Sequence, residues 1–166
     1  MLPQWNPYTD IMQITTDTDA HADNDVMGGL LSVRLPVVQG GAFLHDAILV
    51  DAGGDESELD LYIYEHAPDT IADNAAFAPT AQDESYCRGR LTFSTYRTET
   101  AASVSHVALS PDSTREISLD CRSRTLSDGS QLGYDKAYLY LVNRSGGNVT
   151  KGVATELVLI THWYVA

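Results

Sequence analysis

The sequence has few basic residues. Its 166 residues include 10 Lys and Arg against 23 Asp and Glu, for a formal net charge of −13, and only Lys136 and Lys151 are lysines. A surface that binds nucleic-acid phosphates needs clustered Lys and Arg, so no nucleic-acid partner is expected. Residues 1–83 hold 15 acids and a single base, Arg34. This acidity either keeps the chain soluble or marks a polarised subunit that meets a basic partner. In the second case the arginines of this chain at positions 88, 90, 97, 122 and 124 are expected to face acidic patches of sister copies.

Cysteines and long apolar runs are also scarce. Cys87 and Cys121 are too few for a disulfide scaffold, and the apolar neighbours of Cys121 favour a buried thiol, although a bridge between the two stays open. No stretch approaches the roughly 20 apolar residues of a membrane span, so no membrane partner is expected. The N-terminus has neither a basic segment nor an apolar run, which argues against a secretory signal.

The sequence lacks the motifs that usually carry catalysis. It has no G-x-G-x-x-G, no P-loop lysine, no nucleophile elbow, no H-E-x-x-H and no C-x-x-C. The five histidines show no metal-ligand spacing, and His106 is expected to be a packed strand residue. We therefore expect no enzyme, no catalytic residue, no cofactor and no metal site. A carboxylate pair on a β-scaffold stays open as an alternative, because sequence spacing does not reveal the separation of carboxylates that glycoside hydrolysis needs.

Strand-like alternation of apolar and polar residues dominates what is present. In the segment from Leu59 to Glu65, Leu59, Leu61 and Ile63 share one face. Similar patterns predict about nine strands, at 11–16, 26–35, 42–50, 59–65, 90–96, 104–109, 116–121, 137–142 and 155–165. Many short strands with Gly-rich turns predict an all-β fold, an antiparallel β-sandwich in jelly-roll form with about eight strands. The length fits a single domain, assigned to residues 11–166.

Several local features are predicted from turn and breaker residues. Residues 1–10 contain two prolines and are expected to form an extended arm, with Trp5 and Tyr8 as interface residues that dock on this subunit or on a neighbour. Gly28-Gly29 predicts a bulge or bend inside a strand. Residues 71–77 are the one expected helical turn. The Gly-rich turn at 145–148 predicts a terminal hairpin of 137–144 with 153–165.

The segment Asp17-Thr18-Asp19-Ala20-His21-Ala22-Asp23-Asn24-Asp25 places acidic oxygens at alternating positions, as calcium prefers. It departs from an EF-hand loop, because Ala22 stands at the glycine position and Gly28 at the glutamate position. The other interpretation is that these side chains bond to their own turns.

This same segment resembles the opening of small structural proteins encoded by tailed bacteriophages, in which D-[TS]-x-A-Y-A-x-G-D-V-x-G-G follows the first strand. The similarity continues through Gly40-Gly41, Ala47–Asp51, Leu59–Tyr64 and Asp73–Phe77, so it covers mainly residues 10–80. His21 replaces the tyrosine of that pattern, and Asn24 replaces the glycine that precedes its D-V pair. The resemblance implies a non-enzymatic capsid decoration (cement) protein, made in the host bacterial cytoplasm. It implies a jelly roll, often trimeric, on the outer capsid surface with the major capsid protein as partner.

Two other functions remain open from the residues. Tyrosines at positions 62, 64, 138 and 140 lie on the strand face opposite their apolar neighbours and are candidates for stacking on sugars, which would suit a carbohydrate-binding module. Small β-modules also occur in phage tails and head fibres, so a structural protein at those locations is the second alternative.

Overall fold

The computed structural model describes residues 6–36, 41–98, 102–108, 117–120, 124–125, 131–132 and 136–165. These residues form twelve strands and one short helix. The elements are β1 (Asn6–Ile14), β2 (Val26–Arg34), β3 (Gly41–Asp51), β4 (Leu59–Tyr64), α1 (Ala81–Tyr86), β5 (Cys87–Phe93), β6 (Arg97–Thr98), β7 (Ser103–Ala108), β8 (Ile117–Asp120), β9 (Arg124–Thr125), β10 (Gln131–Leu132), β11 (Lys136–Asn143) and β12 (Leu157–Val165). With six residues, α1 is far shorter than a bilayer-spanning helix, and no other helix occurs in the described residues.

Two antiparallel sheets form the fold. The six-stranded sheet has the order β1-β12-β3-β7-β6, and β8 pairs with the first part of β3, while the four-stranded sheet has the order β2-β11-β4-β5. From the N-terminal end, β1 to β4 alternate between the two sheets, and from the C-terminal end β12 and β11 do the same. Each of these last two strands lies between two of the first four, which is the wrapped order of a jelly roll. The predicted all-β sandwich is confirmed, and all nine predicted strands coincide with observed ones.

The predicted terminal hairpin is wrong. β11 pairs with β2 and β4, whereas β12 pairs with β1 and β3, so the two strands lie in opposite sheets. The Gly-rich turn is real, but the connection that contains it crosses between the sheets. It is held by the side-chain amide of Asn143, which donates to the carbonyls of His21, Ala22 and Gly147 at 2.8–3.0 Å.

The sequence predicts that residues 6–10 are part of an extended arm, and the structure places them in a strand instead. Residues 6–10 belong to β1, where Pro7 lies opposite Tyr164 of β12. Because β1 is at the edge of its sheet, a residue without an N–H donor is tolerated there. Trp5 and the rest of residues 1–5 lie outside the described residues.

Two local predictions around residues 28 and 71–77 have different outcomes. The bulge at Gly28-Gly29 is confirmed, since Leu139 pairs with Leu31 but Leu141 pairs with Met27, and both glycines have positive φ. The helical turn at 71–77 is wrong, because the chain makes a tight turn at Asn74 with φ 56°. The helix instead begins after Thr80, whose hydroxyl and Asp83 form a reciprocal capping box.

The hydrophobic residues form two layers. The main core lies between the sheets, and Trp163 is its largest side chain, with its indole N–H donating to Thr161 at 2.8 Å. A second core covers the other face of the four-stranded sheet, where Tyr64 and Tyr140 pack beneath residues 65–86, which contribute Phe77 to this core. The Tyr140 hydroxyl fastens that segment, since it donates to the carbonyl of Asp69 and accepts from the N–H of Ile71.

Candidate functional site

The face of the six-stranded sheet that points away from the core is the candidate interaction surface, and we call it the outer face. Beyond their sheet neighbours, the main contacts of its strands are with the opposing sheet, those of β1 with β2 and those of β7 and β8 with β5. Strand register aligns half-buried apolar side chains in rows across it, and Ile11 at its edge is 69% exposed. The rows are Ile11, Ile160 and Ile48; Val158, Val50 and Val104; and Tyr164 and Phe43.

The corresponding face of the four-stranded sheet is closed. Tyr64 and Tyr140 are buried there, and Tyr62 and Tyr138 are partly buried beneath residues 65–86. Burial raises the pKa of the Tyr64 hydroxyl, in keeping with a side chain that water does not reach. The expected exposed tyrosine platform is therefore absent from the described residues, which removes the observation that favoured sugar binding.

Four polar side chains form a cluster on the outer face, which we call the histidine cluster: His45, Asp46, His106 and His162. Asp46 accepts a hydrogen bond from Nδ1 of His162, and its other oxygen lies 3.5 Å from Nε2 of His106 and 3.8 Å from Nε2 of His45. The expectation of a packed His106 is wrong, because the side chain is 52% exposed. The inward positions of β7 are taken by Ser103 and Ser105 instead.

Aromatic rings flank the histidine cluster on one side. The Tyr164 ring lies 5.0 Å from that of Phe43 and makes an edge contact with His45 at 5.2 Å, measured between centroids. These contacts hold His45 and Tyr164 in place on the outer face.

Tyr8 points to the other side of the sheet. It lies opposite Trp163, and its ring packs on the main core of its own chain. Desolvation raises the pKa of its hydroxyl, and the nearby carboxylate of Asp10 adds to the shift. An interface role for Trp5 and Tyr8 stays a prediction.

The carboxylates of the acidic loop 17–25 accept hydrogen bonds from backbone N–H groups of the same chain. Asp17 accepts from the N–H of Asp19, Asp25 from that of Ala22, and Asp23 from that of Gly146. These contacts favour the turn interpretation over calcium ligation.

His21 in this loop is fully buried and faces Asp73, a residue that sequence reasoning did not single out as polar anchor. One oxygen of Asp73 lies 3.0 Å from His21 Nε2 and 2.6 Å from the N–H of Gly28, and the other accepts from the N–H of Asp17. Burial raises the pKa of Asp73, but the hydrogen bonds from Gly28, His21 and Asp17 outweigh it, so that the pKa is lowered. Asp73 lies within residues 65–86 and thus connects this segment to the acidic loop and to the β2 bulge.

A second group of carboxylates surrounds a lysine. Oxygens of Asp51, Asp55 and Glu156 lie within 4.8 Å of one another. The ammonium of Lys151, which is 1% exposed, donates to Asp51 at 2.8 Å and to Asp55 at 3.0 Å. A protein cation therefore already lies within this group and offsets one of its three formal negative charges, and it ties the crossing connection to the end of β3.

Some of the arginines expected to face sister copies bind carboxylates of their own chain. Arg88 pairs with Glu65, and Arg90 lies 3.3 Å from Asp60. Arg122 and the side chain of Arg124 lie outside the described residues, as does Cys121. Cys87 is a free, half-buried thiol whose pKa is raised by burial.

No protein-family model matches the chain, and no curated protein matches its sequence. Among solved structures, a chain of sacbrood virus of honeybee is 11% identical with a TM-score of 0.35, covering 98% of this chain and 82% of that one. Chains of heated Israeli acute paralysis virus and of Kashmir bee virus at acidic pH are each 12% identical with TM-scores of 0.32. These matches cover 97% and 96% of this chain and 71% and 70% of theirs. At such values the likeness carries no statement about function.

Proposed function

We propose that the protein is a non-enzymatic structural component of a virion, specifically a decoration (cement) protein of a tailed-bacteriophage head. The observation that carries this proposal is the outer face, where rows of half-buried apolar side chains lie across the sheet and Ile11 is 69% exposed. Contiguous apolar surface of this kind marks protein contact sites. The opposite face of the sandwich, by contrast, is closed by the chain itself.

The occupant of the outer face is proposed to be the major capsid protein on the outside of the head. Support for a phage head comes from the resemblance of residues 10–80 to small tailed-phage structural proteins. Copies are proposed to associate as a homotrimer, since symmetric copies reuse one interface. Cementing then follows from mass action, because a protein that binds the assembled lattice and not its separated parts stabilises it by the binding free energy at every site.

The outer face is also poor in charge. Register places Arg97 of β6 beside Val104 at the end of one apolar row, and Asp46 is paired with histidines. Contact through this face is therefore expected to depend on apolar burial and to vary little with salt, unlike contact through the acidic surface.

The experiment mixes the tagless protein with undecorated heads and measures attachment by electron microscopy and co-sedimentation. Ile11→Gln is the test variant, and Val153→Gln is its matched control, because Val153 is the other large exposed hydrophobic among the described residues, at 59%, and lies in the crossing connection. We expect ordered density for the wild type, weaker attachment for Ile11→Gln and unchanged attachment for Val153→Gln. Equal weakening by both variants contradicts docking through the outer face.

A third variant in the same experiment lacks residues 1–5 and tests Trp5. A deletion that reaches residue 9 is unsuitable, since it removes Asn6–Thr9 from β1. Absence of density on intact heads overturns the decoration proposal. Density at the tail or on a head fibre would instead favour the alternative of a structural protein at that location.

A further inference from the structure

We propose that Lys151 and Asp51 condense to an intramolecular isopeptide bond, a self-modification that joins the crossing connection covalently to the end of β3. Both residues are buried, and Nζ of Lys151 lies 2.8 Å from Oδ2 of Asp51. An amine held in contact with a carboxyl group is positioned as a nucleophile toward its carbon, because near-attack geometry needs the reacting atoms about 3–3.5 Å apart. The buried ion pair is the reactant of this step.

The fold holds the carboxyl group in place. Asp51 is the last residue of β3, and it pairs with Leu157 of β12 on one side and with Ser103 of β7 on the other. Its Oδ1 accepts a hydrogen bond from the backbone N–H of Gly53 at 3.0 Å. That donor is aimed at the oxygen that becomes negative when the amine adds to the carbon, so it stabilises the tetrahedral intermediate. Fixed partners of this kind reach effective molarities of about 10⁵–10⁸ M.

Two further carboxyl groups can move the protons. Oδ2 of Asp55 accepts a hydrogen bond from Lys151 Nζ at 3.0 Å, so it can take a proton and free the lone pair of the amine. Oxygens of Asp51, Asp55 and Glu156 lie within 4.8 Å of one another. Oε2 of Glu156 is buried and has no hydrogen-bond partner within the described part of the chain. The contacts that hold the group together leave this oxygen unused, whereas a proton relay would use it.

The step balances without a co-reactant. A bond forms between Nζ of Lys151 and Cγ of Asp51, and the bond from Cγ to Oδ2 breaks. Two of the three ammonium protons leave with Oδ2 as water, by way of the Asp55 and Glu156 carboxylates, which end as they began. The third proton stays on the amide nitrogen, and Oδ1 becomes the amide oxygen. The product replaces a buried ion pair by a neutral amide, which removes the cost of keeping two charges out of water.

The test measures the intact mass of the tagless full chain during incubation at neutral pH. We expect the wild type to be lighter than the unmodified chain by one water molecule. Lys151→Arg should keep the full mass, because it removes the nucleophile. Lys136→Arg is the matched control and should lose water as the wild type does, since Lys136 is exposed and is the other lysine of the chain. Asp55→Asn should slow the loss at least about 10²-fold, because it removes a proton acceptor.

Digestion at lysine locates the bond. The chain has lysines only at positions 136 and 151. A lysine-specific protease cuts the unlinked chain after both, but it cannot cut at a lysine whose Nζ is part of an amide. The linked chain should therefore give one peptide, 137–166, that stays attached to peptide 1–136 through Asp51. This map is made on the wild type, so it decides the proposal even where a variant fails to fold.

Three outcomes would overturn the proposal. A full mass for the incubated wild type would leave an ordinary buried ion pair. Cleavage after Lys151 in a chain that has lost water would place the loss elsewhere, for example in a succinimide at the Asp128-Gly129 sequence. Water loss at the wild-type rate in Lys151→Arg would exclude this lysine as the nucleophile. The modification occurs once per chain and does not rest on capsid attachment, so either proposal can fail alone.

Discussion

Lys151→Met should destabilise the protein strongly. Lys151 and Asp51 are each 1% exposed, and the ammonium lies 2.8 Å from the carboxylate, so removal of the lysine leaves a buried carboxylate without its counter-charge. Breaking a buried pair in this way costs about 3–5 kcal/mol. Asp55 contributes little to this cost, because its side chain is 41% exposed and water can solvate it. For a domain of this size the loss corresponds to a decrease in Tm of about 6–20 °C.

Urea unfolding followed by circular dichroism measures the change in the free energy of unfolding. Lys136→Met is the matched control, since Lys136 is the other lysine of the chain and is exposed; its effect should stay within about 0.5 kcal/mol. Adding Asp51→Asn to Lys151→Met should recover part of the loss, because the buried group is then neutral. A loss below about 1 kcal/mol for Lys151→Met, or a double variant as unstable as the sum of the single changes, would refute the reasoning.

Two further predictions concern the β2 bulge and its anchor. The lowered pKa of Asp73 means that its ionised form stabilises the fold above the unfolded-state value of about 4, and that this stability is lost as the pH falls through the lower folded-state value. The stability difference between wild type and Asp73→Asn should therefore shrink on acidification below about pH 4, and parallel pH profiles would contradict this. Gly28→Ala should cost about 1–3 kcal/mol more than Gly146→Ala in urea unfolding. Both glycines have positive φ, so this strain is common to the two substitutions. A Cβ on Gly28 would lie 2.3 Å from the side chain of Ile14, whereas a Cβ on Gly146 would have no atom within 4 Å. Equal losses of stability would therefore disprove the clash at Gly28.

Most strand positions were predictable because a strand has a period of two that neighbouring residues express directly. Leu59, Leu61 and Ile63 show it plainly, and all three are buried in the main core. The bulge was predictable for a similar reason, because a glycine pair inside an apolar run marks positive φ. Local sequence did not show whether a turn joins partners in one sheet, which is why the Gly-rich turn after β11 was interpreted as a hairpin.

The histidine cluster and the outer face were beyond sequence reasoning. His45, His106 and His162 have no shared spacing, and register between β3, β7 and β12 alone brings them to one carboxylate. A weak signal existed, since His162 alternates with Leu159, Thr161 and Trp163, which lie on the inward side. For the tyrosines of β4 and β11, the sequence pattern correctly predicted the strand face on which they lie. It gave no sign that residues 65–86 fold over that face.

The sequence by itself thus determined that the chain is all-β, where its strands lie and which side of each strand is apolar, because these properties depend on neighbours along the chain. Only the tertiary structure decided which strands pair and which distant side chains meet. It also decided that residues 65–86 cover the face of the four-stranded sheet and not the outer face of the six-stranded sheet. Those outcomes depend on contacts between residues far apart in sequence, as with Lys151 and Asp51, which are 100 positions apart and share one buried ion pair.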